Sequence, residues 1–178
     1  GKSDAAQVPP FLSDYGSVRI PSQRRASMAP MPDSNATVRS LLDSKGWQVH
    51  TVDPETTVFE AIARMAERGI GALLVLEDRK LVGVISERDY TRKVVLRGRN
   101  SRDTKVHEIM TPPAATATPN DSVATCMQLL SSTRSRYLPV MHQGSVVGIV
   151  SMGDLIKWTV AEQRETITHL HSYIAGTY

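Results

Sequence analysis

The chain has 178 residues, of which 40% are hydrophobic and 22% charged, and its 21 basic and 18 acidic residues leave a net charge of +3. This is globular composition, enough for one ordinary domain or two small ones, and no apolar run approaches the roughly 18–20 residues of a membrane span. Cys126, the single cysteine, excludes an internal disulfide and a cysteine-rich zinc site and points to a reducing compartment.

Residues 1–36 carry Pro9, Pro10, Pro21, Pro30 and Pro32 with several serines and no sustained period. They read as a flexible tail. Arg24-Arg25-Ala26-Ser27 has the basic, Ser-rich character of an organelle transit segment, but Asp4, Asp14 and Asp33 argue against an intact one. The Gly start suggests trimming or a fragment. Gln48 to Val52 is short and partly β-branched, which predicts a strand ending at Pro54. Thr57 and Glu60 form a predicted capping box, and Val58, Ile62 and Met65 then recur at helical spacing until Gly69. Ala72–Leu76 and Leu81–Ile85 read as a hairpin around the turn 77–80. A helix is predicted from about Glu87 to Leu96, ended by Gly98.

The second half overlays the first at a constant offset of 65. Thr51 falls on Thr116, Pro54 on Pro119, Val58 on Val123, Leu73 on Leu138, Val82-Gly83 on Val147-Gly148, Ser86 on Ser151 and Asp89 on Asp154. Upstream, Val38-x-x-Leu41-Leu42 matches Val106-x-x-Ile109-Met110 if three residues slip. Such repetition marks a two-unit architecture. Asp121 or Ser122 caps the second unit's first helix, which carries Val123, Cys126, Met127 and Leu130. Tyr137–Met141 and Val146–Val150 make its hairpin around Gly144, and a last helix starts near Met152. Each unit, at about sixty residues, buries too little apolar surface to stand alone. Packed sheet to sheet, the two would share one core, with a pseudo-two-fold axis and two equivalent clefts.

Gly83-Val84-Ile85-Ser86-Glu87-Arg88-Asp89 and Gly148-Ile149-Val150-Ser151-Met152-Gly153-Asp154 resemble the Gly-h-h-Ser/Thr-x-x-Asp signature of cystathionine β-synthase (CBS) domains. Arg136-Tyr137-Leu138-Pro139-Val140 resembles the Arg-x-Leu-Pro-Val strand of their second copy. The resemblance spans about residues 37–160 and is greatest to small stand-alone CBS-pair proteins of bacteria and plant mitochondria. It implies an α/β (α+β) fold of two βαββα repeats, 37–99 and 100–160, before a helical extension at 161–178. It further implies a regulatory module, not an enzyme, that binds adenosine nucleotides (AMP, ADP, ATP or NAD(H)) between the repeats, forms a homodimer and signals energy or redox state. Bacterial cytoplasm or mitochondrial matrix follows as the compartment, and an unknown target, such as a redox enzyme of the thioredoxin kind, as the partner.

The residues suit that chemistry. Ser86 and Ser151 stand where a strand hands over to a helix, where uncommitted N–H groups attract anions. Asp89 and Asp154, three residues on, can accept from both hydroxyls of a ribose, as the acid of dinucleotide folds does, although acids also favour first turns for capping alone. By family analogy Asp154 is the stronger candidate. Gly153 leaves room for close approach, and Arg88 replaces it with charge in the first copy. Arg134 and Arg136, read as the start of a strand, face Gly69 and Gly71 in the alignment and offer phosphate donors to one cleft. The first strands are adenine candidates by family position, which brings in His50 and Thr116. Trp47 and Cys126 are expected to be packed rather than functional, and the five histidines lack metal-ligand spacing, so no metal is expected.

From Arg88 to Lys105, seven basic residues meet two acids, a stretch that could serve nucleic acid, but the slight net charge and 5% aromatic content weigh against it. Water is the default surrounding of Arg99. No catalytic triad, Walker or Rossmann fingerprint is present. The remaining alternative is a ligand-independent dimeric scaffold.

Overall fold

The computed structural model describes residues 36–175, with side chains from 36 to 165. The predicted tail thus lies outside the described residues, apart from Ala36. The elements are α1 (Val38–Lys45), β1 (Thr51–Val52), α2 (Val58–Arg68), β2 (Ala72–Glu77), β3 (Lys80–Ser86), α3 (Glu87–Lys93), α4 (Val106–Ile109), α5 (Val123–Thr133), β4 (Tyr137–His142), β5 (Ser145–Ser151) and α6 (Met152–Ala175).

The offset of 65 survives in the pairing. In the first hairpin Ala72 faces Ser86 and Val75 faces Gly83, with a register shift after Val75. In the second, Tyr137 faces Ser151 and Val140 faces Gly148, with the same shift after Val140. Both turns are tighter than the sequence suggests. Asp78 and Arg79 alone make the first, at φ 48° and 65°, and Gln143 and Gly144 the second, at φ 49° and 77°. Two successive positive φ angles match the twist of the flanking strands, so each hairpin closes in two residues.

Other elements are shorter than predicted. β1 keeps only Thr51–Val52, parallel to Leu74–Val75. Its counterpart shrinks to one bridge, Ala117 to Val140, because Pro112, Pro113 and Pro119 remove ladder donors on both sides. α3 stops at Lys93, and a 3₁₀ turn from Val95 to Arg97 follows before left-handed Gly98. The β-branched pair Val94-Val95 is a poor helix interior. Thr57 accepts from the Glu60 N–H at 3.2 Å, which forms only half of the predicted capping box.

The expected single core is in fact two. One gathers Val123, Cys126, Leu130, Leu138, Val140, Val150 and Leu155 from the second unit with Val38, Leu41 and Leu42 of α1. The other gathers Val58, Ala61, Met65, Leu73, Val75 and Ile85 from the first unit with Val106 and Ile109 of α4. Each leading helix therefore completes the other unit's core. Backbone bonds fix the exchange. Val38 N–H donates to Asp121 O and Val123 N–H to Ala36 O, both at 2.9 Å, while Val58 N–H donates to Thr104 O and Val106 N–H to Thr56 O, again at 2.9 Å. Eight- and four-residue helices are too short to hold by themselves; their apolar faces hold them.

The repeated Val-Gly dipeptide belongs to this exchange. A Cβ added at Gly148 would lie 2.7 Å from Leu42 Cδ1, and one at Gly83 would lie 2.7 Å from Met110 Sδ. Only glycine lets the incoming helix end come so close to the hairpin.

Candidate functional site

The junction of the two units forms two clefts. The first, about 570 Å³, is walled by Lys45 and Gly46 at the end of α1, Gln48 and His50, the 68–72 link, Arg136 and Tyr137, Ile149, and Ser151 to Asp154. The second, about 590 Å³, is walled by Gly71, Ser86, Glu87, Arg88, Thr91, Arg92, Arg136 and Tyr137. Gly71, Arg136 and Tyr137 thus stand in both. Tyr137 reaches close over Gly71, where an added Cβ would lie 2.6 Å from its hydroxyl. Burial pushes its phenol pKa up; Arg136 opposes this, while Glu87 and both aspartates reinforce it.

Asp154 anchors the first cleft. Its Oδ2 accepts from Ser151 N–H and from Ser151 Oγ, both at 2.8 Å, and Ser151 Oγ in turn accepts from Asp154 N–H at 3.1 Å. Lys45 Nζ adds a 2.6 Å ion pair. The three bonds the carboxylate accepts all fall on Oδ2; Oδ1 takes no hydrogen bond from the described residues. Burial raises the Asp154 pKa, but the Lys45 and Ser151 hydrogen bonds outweigh it, and the carboxyl titrates below its ordinary range. Met152 N–H is also committed, to Arg136 O at 3.3 Å. The expected set of uncommitted first-turn donors is thereby reduced to Gly153, whose Cα side is open, with Ser151 Oγ 3.7 Å from an added Cβ.

Asp89 repeats the capping box but not the setting. Its Oδ2 takes Ser86 N–H at 3.1 Å and Ser86 Oγ at 2.6 Å. Its Oδ1 meets Lys93 Nζ at 2.8 Å and accepts from Thr111 Oγ1 at 3.2 Å. Both oxygens are occupied, and Asp89 stands outside the lining of either cleft. The two aspartates are equivalent in sequence and unequal in availability.

Of the other candidates, His50, Arg136 and Gly153 join Asp154 and Ser151 around the first cleft, while Ser86 and Arg88 join Arg136 around the second. Thr116 is exposed and lines neither. Arg134 does not begin a strand. It is the left-handed C-cap of α5 at φ 53°, the place Gly69 fills on α2 at φ 61°, and it lies outside both clefts. Arg99 is not left to water, because it pairs with Glu108. Arg102 stacks over Phe59 at 3.9 Å and Lys93 is spent on Asp89, which breaks up the basic stretch. Trp47 donates to Asp43 Oδ1 at 2.7 Å and packs on the second unit's core. Cys126 is buried, and burial, with Asp121 adding to it, pushes its thiol up to about 11; such a thiol is inert. Among the described residues no His, Cys, Asp and Glu cluster could hold a metal, and no helix is long and apolar enough to cross a membrane.

Lys45, Arg68 and Tyr137 are wall residues that the sequence reading did not single out as binding groups. Tyr137 sits in the quoted strand motif and could have been found there. Lys45 could not, since only the helix exchange carries it to Asp154.

Comparison with known proteins places this architecture. The CBS domain family model matches residues 38–96 and 106–161. The chain is 37% identical over 171 residues to the mitochondrial CBS domain-containing protein CBSX3 of Arabidopsis thaliana, covering 90% of this chain and 82% of that one. It is 35% identical to the CBS domain-containing protein YhcV of Bacillus subtilis, over 65% of this chain and 82% of that one. Among solved structures, a CBS-domain protein of Burkholderia ambifaria is 43% identical with a TM-score of 0.68, covering 72% of this chain and 96% of that one. A hexameric CBS-CP12 protein from bloom-forming cyanobacteria is 25% identical with a TM-score of 0.63, over 69% of this chain and 67% of that one. With two exchanged repeats, both signature aspartates and matches of this extent, the chain belongs to the CBS-domain family as a tandem pair.

Proposed function

We propose that this CBS pair is a regulatory binding module whose ligand is an adenosine nucleotide, held in the cleft of Asp154. One observation carries the reading: a partly buried, ionised carboxylate with one open oxygen stands in the same 570 Å³ cleft as Lys45, Arg68 and Arg136. The carboxylate suits a ribose diol and the guanidinium groups suit phosphate. The wall contains residues of both repeats, so a ligand touching both biases their relative placement, provided it prefers one arrangement. A partner protein then reads that placement. Among the described residues of the cleft no hydroxyl or thiol is hydrogen-bonded to a histidine or lysine base, which favours binding over chemistry.

The described part of α6 leaves Ile156 and Val160 exposed at 49% and 43%. Four residues apart, they form one helix face that favours a homodimer through α6. The cyanobacterial CBS-CP12 relative is hexameric, which supports self-association as a habit of such modules.

The test is calorimetric titration of the whole protein with AMP, ATP and NADH, with GTP as the control. Saturable binding of an adenine nucleotide, with GTP at least tenfold weaker, is expected. Absence of binding by all three adenine compounds would refute the nucleotide reading and leave the scaffold.

A further inference from the structure

Among the described residues Asp154 is the only carboxylate on the wall of its cleft, against Lys45, Arg68 and Arg136. Of those cations only Lys45 touches it. Lys45 Nζ lies 2.6 Å from Asp154 Oδ2 and donates to the Ile149 carbonyl at 2.9 Å. An ammonium has three donors, so these two contacts leave one over, and the Lys45 side chain is 37% exposed at the cleft. The ion pair has two effects. It cancels the one negative charge that would repel an approaching phosphate, and it leaves a cation beside the carboxylate that suits a sugar diol. Without Lys45 the carboxylate would lose its counter-ion and only Arg68 and Arg136 would remain to attract phosphate, which weakens the preference for phosphate-bearing adenosine compounds over uncharged or cationic ones.

The repeat supplies an internal contrast. In the leading helices Met110 takes the place of Leu42, each packing against a hairpin glycine, so the place of Lys45 falls in the second copy on Pro113, beyond the end of α4, which carries no charge. Near Asp89 the neutralising lysine is Lys93 of α3 itself, and Thr111 closes the remaining oxygen. Among the described residues only the Asp154 cleft combines an open carboxylate oxygen with a lysine delivered from the other repeat.

On the adenosine reading proposed above, we infer that Lys45 is the specificity-determining residue of this cleft, selecting adenosine ligands that carry phosphate over those that are uncharged or cationic. Lys45 is a charge selector and not the holder of the sugar. Its removal therefore changes the ratio of affinities rather than all of them.

The experiment measures AMP and adenosine binding to the whole protein by calorimetry, for wild type, Lys45→Met, Lys45→Gln and Lys45→Arg. Melting curves identify the folded variants. Wild type is expected to bind AMP at least tenfold tighter than adenosine. Lys45→Met, or Lys45→Gln if the Met variant does not fold, should cut that ratio by about tenfold and leave adenosine within about threefold. Lys45→Arg should keep most of the ratio. Binding of both compounds with an unchanged ratio overturns the assignment of Lys45 and spares the nucleotide reading. Equal loss of both compounds also overturns it, since that makes Lys45 a positioning residue for Asp154. Failure of wild type to bind either compound overturns this inference, and the nucleotide reading falls with it only if ATP and NADH fail to bind as well.

Discussion

At Asp154 the carboxylate is held by Ser151 and Lys45, and its pKa falls below its ordinary 3.8. A depressed folded-state pKa stabilises the protein above the unfolded pKa, and that stability is lost as pH falls through the folded value. Asp154→Asn should therefore cost about 1 kcal/mol at neutral pH, in the range of a partly exposed ion pair. The gap to wild type should close below about pH 4, as followed by urea midpoints across pH. Arg134 makes a different residue-scale prediction. An arginine at φ 53° occupies a cap that glycine prefers. Arg134→Gly should stabilise the chain by about 0.5–1 kcal/mol in thermal unfolding, with nucleotide affinity unchanged because the residue is outside the clefts. At this scale Ser151, Gly153, Asp154 and Arg136, singled out in the sequence, line the first cleft. Spacing alone could not separate Arg134 from Arg136. One is the end of a helix and the other lies two residues on, and only the left-handed turn between α5 and β4 divides them.

At the scale of elements, the exchanged leading helices explain a motif whose reason is hidden in the chain. Gly83 and Gly148 look like strand glycines, a weak choice inside a sheet. They are required because Met110 and Leu42 press against them. Gly148→Ala should cost about 1–3 kcal/mol by overpacking. Leu42→Ala should itself destabilise, yet in the double variant the two losses should fall short of their sum. A double-mutant cycle by denaturant unfolding measures that coupling. Hairpins, α2 and α5 were legible because periodicity and caps act locally. The partners of α1 and α4 were not, because periodicity marks an apolar face without saying what covers it. The first strand of the second unit, expected by family position, shrinks to a single bridge because prolines flank it on both sides.

For the whole molecule, the exchange means that neither core is complete without a helix from outside its own repeat. The two repeats should then unfold as one cooperative unit. The exposed Ile156 and Val160 face of α6 carries the proposal of a dimer. Ile156→Asp combined with Val160→Asp should shift the mass seen by light scattering from dimer to monomer. Wild type already monomeric at micromolar concentration would reject that interface. The family was readable from two signatures at a fixed spacing. The inequality of the two clefts was only half readable, through the Arg88 and Gly153 difference; the occupied oxygens of Asp89 come from Thr111 and Lys93, whose contacts no alignment of the repeats displays.

The most direct test of the account compares Asp154→Ala with Asp89→Ala in calorimetric titrations with the adenine nucleotide that wild type binds. The account predicts at least tenfold weaker binding for Asp154→Ala and less than a threefold change for Asp89→Ala, with both variants folded. Equal affinities for Asp154→Ala and wild type, or a larger loss in Asp89→Ala, would contradict it.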